Sequence, residues 1–292
     1  MKLSTLKLFK NKWYSLSFTL VLIYISYINI FILRSTPEII FIQFGIILFA
    51  YNKKGGKIFL KDWLPFISLF LLFEFLRGYI DDLSPFYDQV LYWCYYIEVF
   101  LFHKLPSIVL QEKFSSNETI LYLSIFFYLT FFYYSFLIAF LIWLKKPTLF
   151  KEYMKSFLIL TYLGLLVHFL LPTAPPWMVS EAQNLGIKRL LYYKIDEINP
   201  GWLSIYKYFI MGNPVAAMPS LHIAWPAFTS LFIIKKLKNK LAYLLLIIPF
   251  AIGFSVVFTG EHYVIDVIAG FLLTFFLINS QKIKKQKSIS HY

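Results

Sequence analysis

Long apolar runs, separated by short polar connections, extend along the chain from residue 14 to residue 280. A transmembrane helix needs about 20 mostly apolar residues. Runs of this kind predict eight spans, at residues 14–33, 38–51, 61–78, 119–144, 152–171, 218–234, 241–258 and 262–280. The runs are too long for strands and their apolar residues do not alternate. The pattern therefore predicts an all-α polytopic membrane helical bundle with about eight transmembrane helices.

Two connections in this pattern are long, at residues 79–118 and 172–217. Connections longer than about 12–15 residues are usually functional. Within the first, residues 86–105 are apolar and aromatic but include Asp88 and Glu98. We interpret this segment as an amphipathic helix at the membrane interface, with a ninth span as the alternative.

Composition excludes several other classes of protein. Hydrophobic residues make up 59% of the 292 residues and charged residues only 15%, against about 25% charged in soluble domains. This balance argues against a soluble enzyme and against a disordered chain. Cys94 is the only cysteine, which excludes a disulfide scaffold and a cysteine-ligated zinc or iron–sulfur centre.

The formal net charge of +13 first raises the question of nucleic-acid binding. Of the 28 basic residues, 20 are lysines in five clusters of four, near residues 2–12, 53–61, 145–155, 235–240 and 282–287. With eight spans, every cluster falls on one side, and the positive-inside rule makes that side cytoplasmic. We therefore expect both termini in the cytoplasm and no nucleic-acid partner, because a basic groove with interleaved aromatic residues is missing.

Three histidines fall at the opposite, outer ends of three predicted spans: His168, His222 and His262. Ionisable residues within a membrane bundle are costly and generally mark functional sites. Because these three lie at one depth on one face, together they predict a site there, although a single histidine at a helix end is more often structural.

The sharpest local pattern runs from Thr259 to Asp266. His262 and Asp266 are four residues apart, which places them on one face of a helix, and Thr259 is a candidate N-cap for that helix. If Asp266 accepts the Nδ1 proton of His262, the Nε2 atom is left as a free nucleophile. The alternative is an ion pair at the start of a helix.

A second pattern, "PSLH", covers residues 219–222. Pro219 suits the first position of a helix. The backbone N–H of Ser220 and those that follow would then point outward and form an anion site. His222 would lie beside it, able to protonate a leaving oxygen.

"PSLH" followed forty residues later by "HYVID" resembles the type 2 phosphatidic acid phosphatase superfamily of lipid phosphatases and phosphotransferases. "LPTAPPWM" at 171–178 and "KDWLPF…EFLRG" at 61–78 resemble its inositol phosphorylceramide synthase (aureobasidin-resistance) branch. The resemblance implies a six-helix catalytic core. It divides the chain into accessory N-terminal transmembrane helices at 1–60, a core at 61–280 and a cytoplasmic tail at 281–292.

The resemblance also implies roles for individual residues. His262 would be the nucleophile that forms a phosphohistidine, Asp266 would orient and stabilise it, and His222 would protonate the leaving group and then act as base. Ser220 would bind phosphate oxygens. No metal and no cofactor is implied.

The chain departs from the family pattern in its cations. The family's first motif, Lys-x6-Arg-Pro, is absent around residues 165–176, and Val256 stands where the third motif has an arginine. Since phosphoryl transfer needs cations on the equatorial oxygens, we expect Lys188 and Arg189 to replace them. His168 and Trp177 are further candidates for substrate binding, with packing and interfacial anchoring as the respective alternatives.

The resemblance thus implies a membrane phosphotransferase. Because His222, His262 and Asp266 fall on the side opposite the lysine clusters, we expect its site on the extracytoplasmic side. The enzyme would move a phospho-headgroup, with phosphoinositol as one candidate, from a phospholipid donor to a lipid hydroxyl acceptor. The alternatives are a lipid phosphate or polyprenyl pyrophosphate phosphatase of the same superfamily, a transporter or channel, and a family member that binds lipid without turnover. A transporter would more often show repeats and broken helices near the midplane.

Overall fold

The structure is a computed structural model that describes residues 53–79, 83–198, 213–237 and 239–280, with Leu20, Tyr24 and Gln43 as isolated positions. Regular structure in these ranges is helical, apart from one isolated parallel bridge between Thr173 and Ala216. The all-α fold class is therefore confirmed. The predicted spans at 14–33 and 38–51 and the tail at 281–292 lie outside the described residues.

The described helices alternate between long segments and short segments that connect them. In chain order they are α1 (Lys53–Gly78), α2 (Tyr87–Val90), α3 (Trp93–Phe102), α4 (Pro106–Phe114), α5 (Glu118–Lys145), α6 (Pro147–Leu170), α7 (Pro176–Gln183), α8 (Leu190–Ile198), α9 (Leu221–Leu237), α10 (Ile247–Phe258) and α11 (Val264–Ser280). A 3₁₀ segment, Lys240–Leu246, leads directly into α10.

The six later predicted spans each coincide with one of the long helices. Within the part of the chain that the structure describes, three helical segments are long and apolar enough to cross a membrane: Glu118–Lys145, Pro147–Leu170 and Lys240–Phe258. Helices α9 and α11 have only 17 residues each. Helix α1 begins at Lys53, before the predicted start of the core at residue 61, and the division into accessory, core and tail segments stays a prediction.

The ninth span that residues 86–105 could have formed is not present. The segment instead divides into α2 and the ten-residue α3, which is about 15 Å long and so too short to cross a bilayer. Helix α3 buries Cys94 and Glu98 on one face and exposes Phe100 and Leu101 on the other.

Helix α9 is the centre of the bundle and packs against α5, α6, α10 and α11. Its Trp225 and Phe228 are buried among aromatic rings of the neighbouring helices, including Phe157 of α6 and Phe132 of α5. This dense aromatic packing holds the N-terminal end of α9, where the "PSLH" segment lies, in a fixed position.

Helix α11 approaches the start of α9 through a glycine. A Cβ atom on Gly270 would lie 2.4 Å from the carbonyl oxygen of Ser220, so a side chain at this position would push the two segments apart. The Ser220 backbone N–H donates to the carbonyl of Asp266 at 3.1 Å. The fold therefore joins the two sequence patterns directly through their backbones.

Candidate functional site

The loop between α10 and α11 carries His262. Helix α11 begins at Val264, so the prediction that Thr259 is its N-cap is wrong: Thr259 is the C-cap of α10 and its hydroxyl donates to the carbonyl of Ser255 at 2.8 Å. Gly260 has φ +80°, and a Cβ there would come within 2.9 Å of Ile187. Glycine is therefore required where the chain turns toward His262.

His262 and Asp266 form the predicted pair, although His262 precedes the helix. The Nδ1 atom of His262 lies 3.3 Å from Oδ2 of Asp266, and the same oxygen accepts the backbone N–H of Tyr263 at 3.0 Å. The two side chains are buried, His262 being 4% and Asp266 0% exposed. A buried carboxylate at this position fixes the Nδ1–H tautomer of His262.

His222 contacts the other nitrogen of the His262 ring. Its Nδ1 atom lies 2.9 Å from Nε2 of His262. Since Asp266 holds the proton on Nδ1 of His262, Nε2 accepts and Nδ1–H of His222 donates. The prediction that Nε2 is free is therefore wrong for this state of the site: a phosphate that reaches His262 must displace His222 from it.

Two aromatic rings pack against His222. The rings of Tyr128 and Phe131 lie 4.9 Å and 4.3 Å from its centroid. These contacts, together with its place in the first turn of α9, restrict the orientations of the imidazole. His222 is partly buried, so its ring lies between the packed core and the accessible side of the site.

The start of α9 differs from the prediction. The helix begins at Leu221, so Pro219 is not its first residue, and the N–H of Ser220 does not point outward because it donates to Asp266. The Ser220 hydroxyl is buried and has no hydrogen-bond partner among the described residues. Ser220 is 0% exposed, and its role in phosphate binding stays a prediction.

His168 forms a hydrogen bond to the backbone of the "PSLH" segment. Its Nε2 atom donates to the carbonyl oxygen of Pro219 at 3.1 Å, while its buried Nδ1 atom has no partner among the described residues. His168 therefore holds the backbone next to Ser220, which agrees with the packing alternative raised from the sequence.

Trp177 and Arg189 lie together and contact Gly260 and Glu261, the two residues before His262. The Arg189 guanidinium is 4.3 Å from the centroid of the Trp177 ring and forms two hydrogen bonds, of 2.7 and 3.0 Å, to Glu261. Trp177 donates its backbone N–H to the carbonyl of Gly260. The structure thus brings Arg189 to the residue adjacent to His262, with its charge paired to a carboxylate that sequence analysis had not singled out.

Lys188 is oriented differently. Its side chain is exposed, whereas its backbone N–H and carbonyl are both bound by the side-chain amide of Gln111, at 2.9 and 2.8 Å. Gln111 also donates to the carbonyl of Phe258. The amide joins the 187–189 segment to the end of α10, and no pattern in the sequence predicted this role.

Arg77, near the end of α1, is a further cation. It forms an ion pair with Glu74, with Nη2 of Arg77 2.5 Å from Oε2 of Glu74. The guanidinium is nevertheless close enough to His168 and His222 for its charge to act on both imidazoles. Arg77 therefore acts on the imidazoles through its charge alone, and that charge is paired to Glu74 as the charge of Arg189 is paired to Glu261.

Helix α3 contributes two buried side chains that sequence analysis missed. The thiol of Cys94 donates to Oδ1 of Asp266 at 3.4 Å, and Oε1 of Glu98 accepts the N–H groups of Val264 at 2.6 Å and Ile265 at 3.4 Å. Burial raises the pKa of Glu98 to about 8 and that of the Cys94 thiol far above its usual range. An acidic residue within an otherwise apolar helix was the only available signal.

Among the described residues, no group of three or more His, Cys, Asp or Glu side chains could hold a metal ion. Hydrogen bonds bring together two imidazoles and a carboxylate. The Ser220 hydroxyl lies on the adjoining segment, Arg189 is paired to the residue before His262, and Arg77 acts on the imidazoles through its charge. This set can attack a phosphorus atom, transfer a proton and stabilise negative charge.

Comparison with known proteins supports the sequence resemblance at the level of the superfamily. A family model described as the PAP2 superfamily matches residues 95–279, a range that includes both histidines and Asp266. No curated protein and no solved structure matches the chain.

Proposed function

Because the chain belongs to the PAP2 superfamily, whose members are phosphatases and phosphotransferases that act on lipids, we propose that it is a membrane lipid phosphotransferase. It would move a phospho-headgroup from a phospholipid to a lipid hydroxyl through a phosphohistidine at His262. The observation that carries the proposal is the hydrogen-bonded series Asp266–His262–His222.

In the first step, Nε2 of His262 attacks the phosphorus atom and the bond to the lipid oxygen breaks. His222 enters this step as the imidazolium and gives its Nδ1 proton to that leaving oxygen, which departs as a hydroxyl and leaves His222 as a neutral imidazole. The phosphorylated imidazole retains its Nδ1 proton, and the carboxylate of Asp266 stabilises the positive charge that the ring acquires.

The second step reverses these roles. Nδ1 of His222, now without its proton, accepts the proton of the acceptor hydroxyl, and the acceptor oxygen attacks phosphorus while the P–N bond breaks. Water in place of the lipid hydroxyl gives hydrolysis by the same chemistry. The acceptor therefore decides between a transferase and a phosphatase, and the site residues serve both.

Negative charge on the phosphate oxygens requires positive groups. We assign this role to Arg189 and Arg77, with the Ser220 hydroxyl as a hydrogen-bond donor. Lys188 is exposed and would act only at the mouth of the site. Trp177 holds the Arg189 guanidinium by a cation–π contact.

The inositol phosphorylceramide synthase-like branch is our proposal for substrate class. It is supported by the "APPW" residues 174–177, which lie beside the site: Thr173 exchanges backbone hydrogen bonds with Val215 and Ala217, next to the "PSLH" segment. We also propose that the site opens to the extracytoplasmic side, because the lysine clusters and the histidines fall at opposite ends of the predicted spans.

The experiment is turnover by purified protein in mixed micelles. Phosphatidylinositol, phosphatidic acid and a polyprenyl pyrophosphate serve as donors, each with and without ceramide or diacylglycerol, and mass spectrometry identifies the products. A headgroup-bearing product that requires the acceptor supports the transferase, and phosphate release without an acceptor supports the phosphatase. Absence of any phosphorus-containing product, or full activity of His262→Ala, overturns the proposal; His103→Asn, at an exposed histidine outside the site, is the control.

A further inference from the structure

Helix α3 contacts the catalytic segment through one face. Cys94 and Glu98 are four residues apart, both 0% exposed, and reach Asp266 and the first turn of α11 respectively. The opposite face is exposed and apolar, with Tyr96, Phe100 and Leu101. The inner face of α3 is therefore where this helix can influence the site.

The Glu98 contact satisfies a specific need of α11. The first N–H groups of a helix have no partner within that helix, and here Glu98 supplies the acceptor from a segment 166 residues earlier in the chain. Oε2 of Glu98 has no hydrogen-bond partner among the described residues, so the side chain is held by Oε1 alone.

The turn that Glu98 holds is the one that sets the catalytic geometry. Val264 and Ile265 stand between His262 and Asp266, and the backbone N–H of Tyr263 donates to Oδ2 of Asp266. A shift of this turn would lengthen the 3.3 Å contact between His262 and Asp266 and tilt Nε2 away from His222.

We propose that Glu98 is a positioning residue for the His262–Asp266 pair, an inference that rests on the proposed function. Glu98 touches neither histidine; it acts by fixing the first turn of α11. Because either a carboxyl or an amide oxygen can accept the N–H of Val264, the role requires the acceptor at this position rather than a negative charge.

The test compares Glu98→Gln, which keeps an acceptor, with Glu98→Leu, which removes it. Glu112→Gln is the matched control, since Glu112 lies on the neighbouring α4 and its side chain is 61% exposed. We expect Glu98→Leu to lower kcat by about 10- to 100-fold with KM within roughly twofold, and Glu98→Gln to stay within about threefold of wild type. The substrate is the donor and acceptor pair that the wild type turns over among those named above.

A second readout does not depend on turnover. Cys94 is the only cysteine in the chain and is buried against Asp266, so a maleimide reaches it only when α3 separates from α11. In the native protein, we expect Glu98→Leu to accelerate alkylation of Cys94 by about tenfold or more, and Glu98→Gln and Glu112→Gln to leave the rate near that of wild type.

Val264→Pro tests the same hydrogen bond from its donor side, if Glu98→Leu does not fold. Proline removes the N–H that Glu98 accepts and is tolerated at the first position of a helix. It should reproduce the loss of kcat and the faster alkylation of Cys94.

Equal loss in Glu98→Gln and Glu98→Leu, unchanged kcat in Glu98→Leu, or unchanged alkylation in both Glu98→Leu and Val264→Pro would overturn the inference. If the wild type turns over no lipid, the proposed function fails. The alkylation rates then still decide whether Glu98 holds α3 on α11.

Discussion

The Nδ1 atom of His222 in α9 lies 2.9 Å from the Nε2 atom of His262 in the loop before α11, forty residues later in the sequence. This contact links the carboxylate of Asp266 to both imidazoles in one hydrogen-bonded series. One ring is thereby prepared to attack and the other to donate a proton. A phosphate must enter between the two rings. Its binding therefore displaces His222 from Nε2 of His262, and the same displacement exposes the nitrogen that attacks phosphorus.

Asp266→Asn tests the charge of this series separately from its geometry. Oδ2 accepts the Tyr263 N–H and Oδ1 the weakly donating Cys94 thiol, so an amide can keep its oxygen toward Tyr263. We expect a small change in thermal stability and a loss of kcat of roughly 100-fold or more, because the neutral amide no longer stabilises a charged His262 ring. Steady-state kinetics and thermal unfolding in detergent measure both.

Asp62→Asn is the matched control for that variant. Asp62 accepts the indole N–H of Trp143 at 3.1 Å, away from the site. Equal activity losses in the two variants would mean that Asp266 has no particular catalytic role.

The pair of Arg189 with Glu261 predicts that lysine cannot replace this arginine. The guanidinium makes two hydrogen bonds to Glu261 and lies over Trp177, a geometry that an ammonium group does not reproduce. We expect Arg189→Lys to lower kcat/KM by about tenfold or more, whereas Lys113→Met, which removes an exposed charge on α4, leaves it within about twofold. A wild-type value of kcat/KM in Arg189→Lys would show that the reaction does not depend on the arginine side chain at this position.

Close packing at Gly270 predicts a stability effect with its own internal control. Gly270→Ala places a Cβ 2.4 Å from the Ser220 carbonyl and should lower the free energy of unfolding by about 1–3 kcal/mol. Gly78→Ala, where a Cβ meets nothing within 4 Å among the described residues, should not destabilise the protein. Thermal unfolding in detergent compares the two, and equal midpoints would show that α11 does not contact the Ser220 segment as described.

Burial of Glu98 predicts a pH dependence of stability. Its pKa is raised from 4.5 to about 8 in the folded protein, so between these values the folded state binds a proton that the unfolded state releases. The free energy of unfolding therefore falls as pH rises from about 4.5 to about 8, by up to about 1.4 kcal/mol per pH unit.

Glu98→Gln removes that titration. We expect the slope of the melting temperature against pH in this range to be flatter in the variant than in wild type. Parallel slopes would contradict burial of a titrating Glu98.

Topology is tested with single cysteines in a Cys94→Ser background. Glu181 in α7 and Thr148 at the start of α6 are both exposed. We expect a membrane-impermeant maleimide to label Glu181→Cys in intact cells and Thr148→Cys only after permeabilisation, because lysines flank Thr148. The reverse pattern would place the site on the cytoplasmic side.

The sequence was sufficient to predict the features that are marked by long apolar runs or by a regular spacing of residues. Runs of apolar residues predicted six of the described helices, and the spacing of His222, His262 and Asp266 predicted residues that the fold brings into contact. The errors concern single turns. Threonine is a common N-cap residue, but the hydroxyl of Thr259 donates to the carbonyl of Ser255, earlier in the chain. Pro219 precedes α9 and is not its first residue.

Contacts between distant segments could not be predicted in the same way. Glu98 reaches α11 and Gln111 reaches Lys188 and Phe258 only because α3 and α4 fold back onto the catalytic loop. Arg77 pairs with Glu74 three residues earlier in α1, but its effect on His222 depends on how α1 packs against the other helices. Such contacts are set by tertiary packing, which leaves no periodic signal in the sequence.

The covalent state of His262 during turnover tests the central claim most directly. Protein mixed with the donor lipid is quenched within one turnover in alkali, which preserves phosphohistidine, and the digested peptides are identified by mass spectrometry. We predict that the phosphorus-containing headgroup is attached to His262 in the wild type and that His262→Ala carries none. A headgroup on another residue, or turnover at the wild-type rate by His262→Ala, would contradict the account.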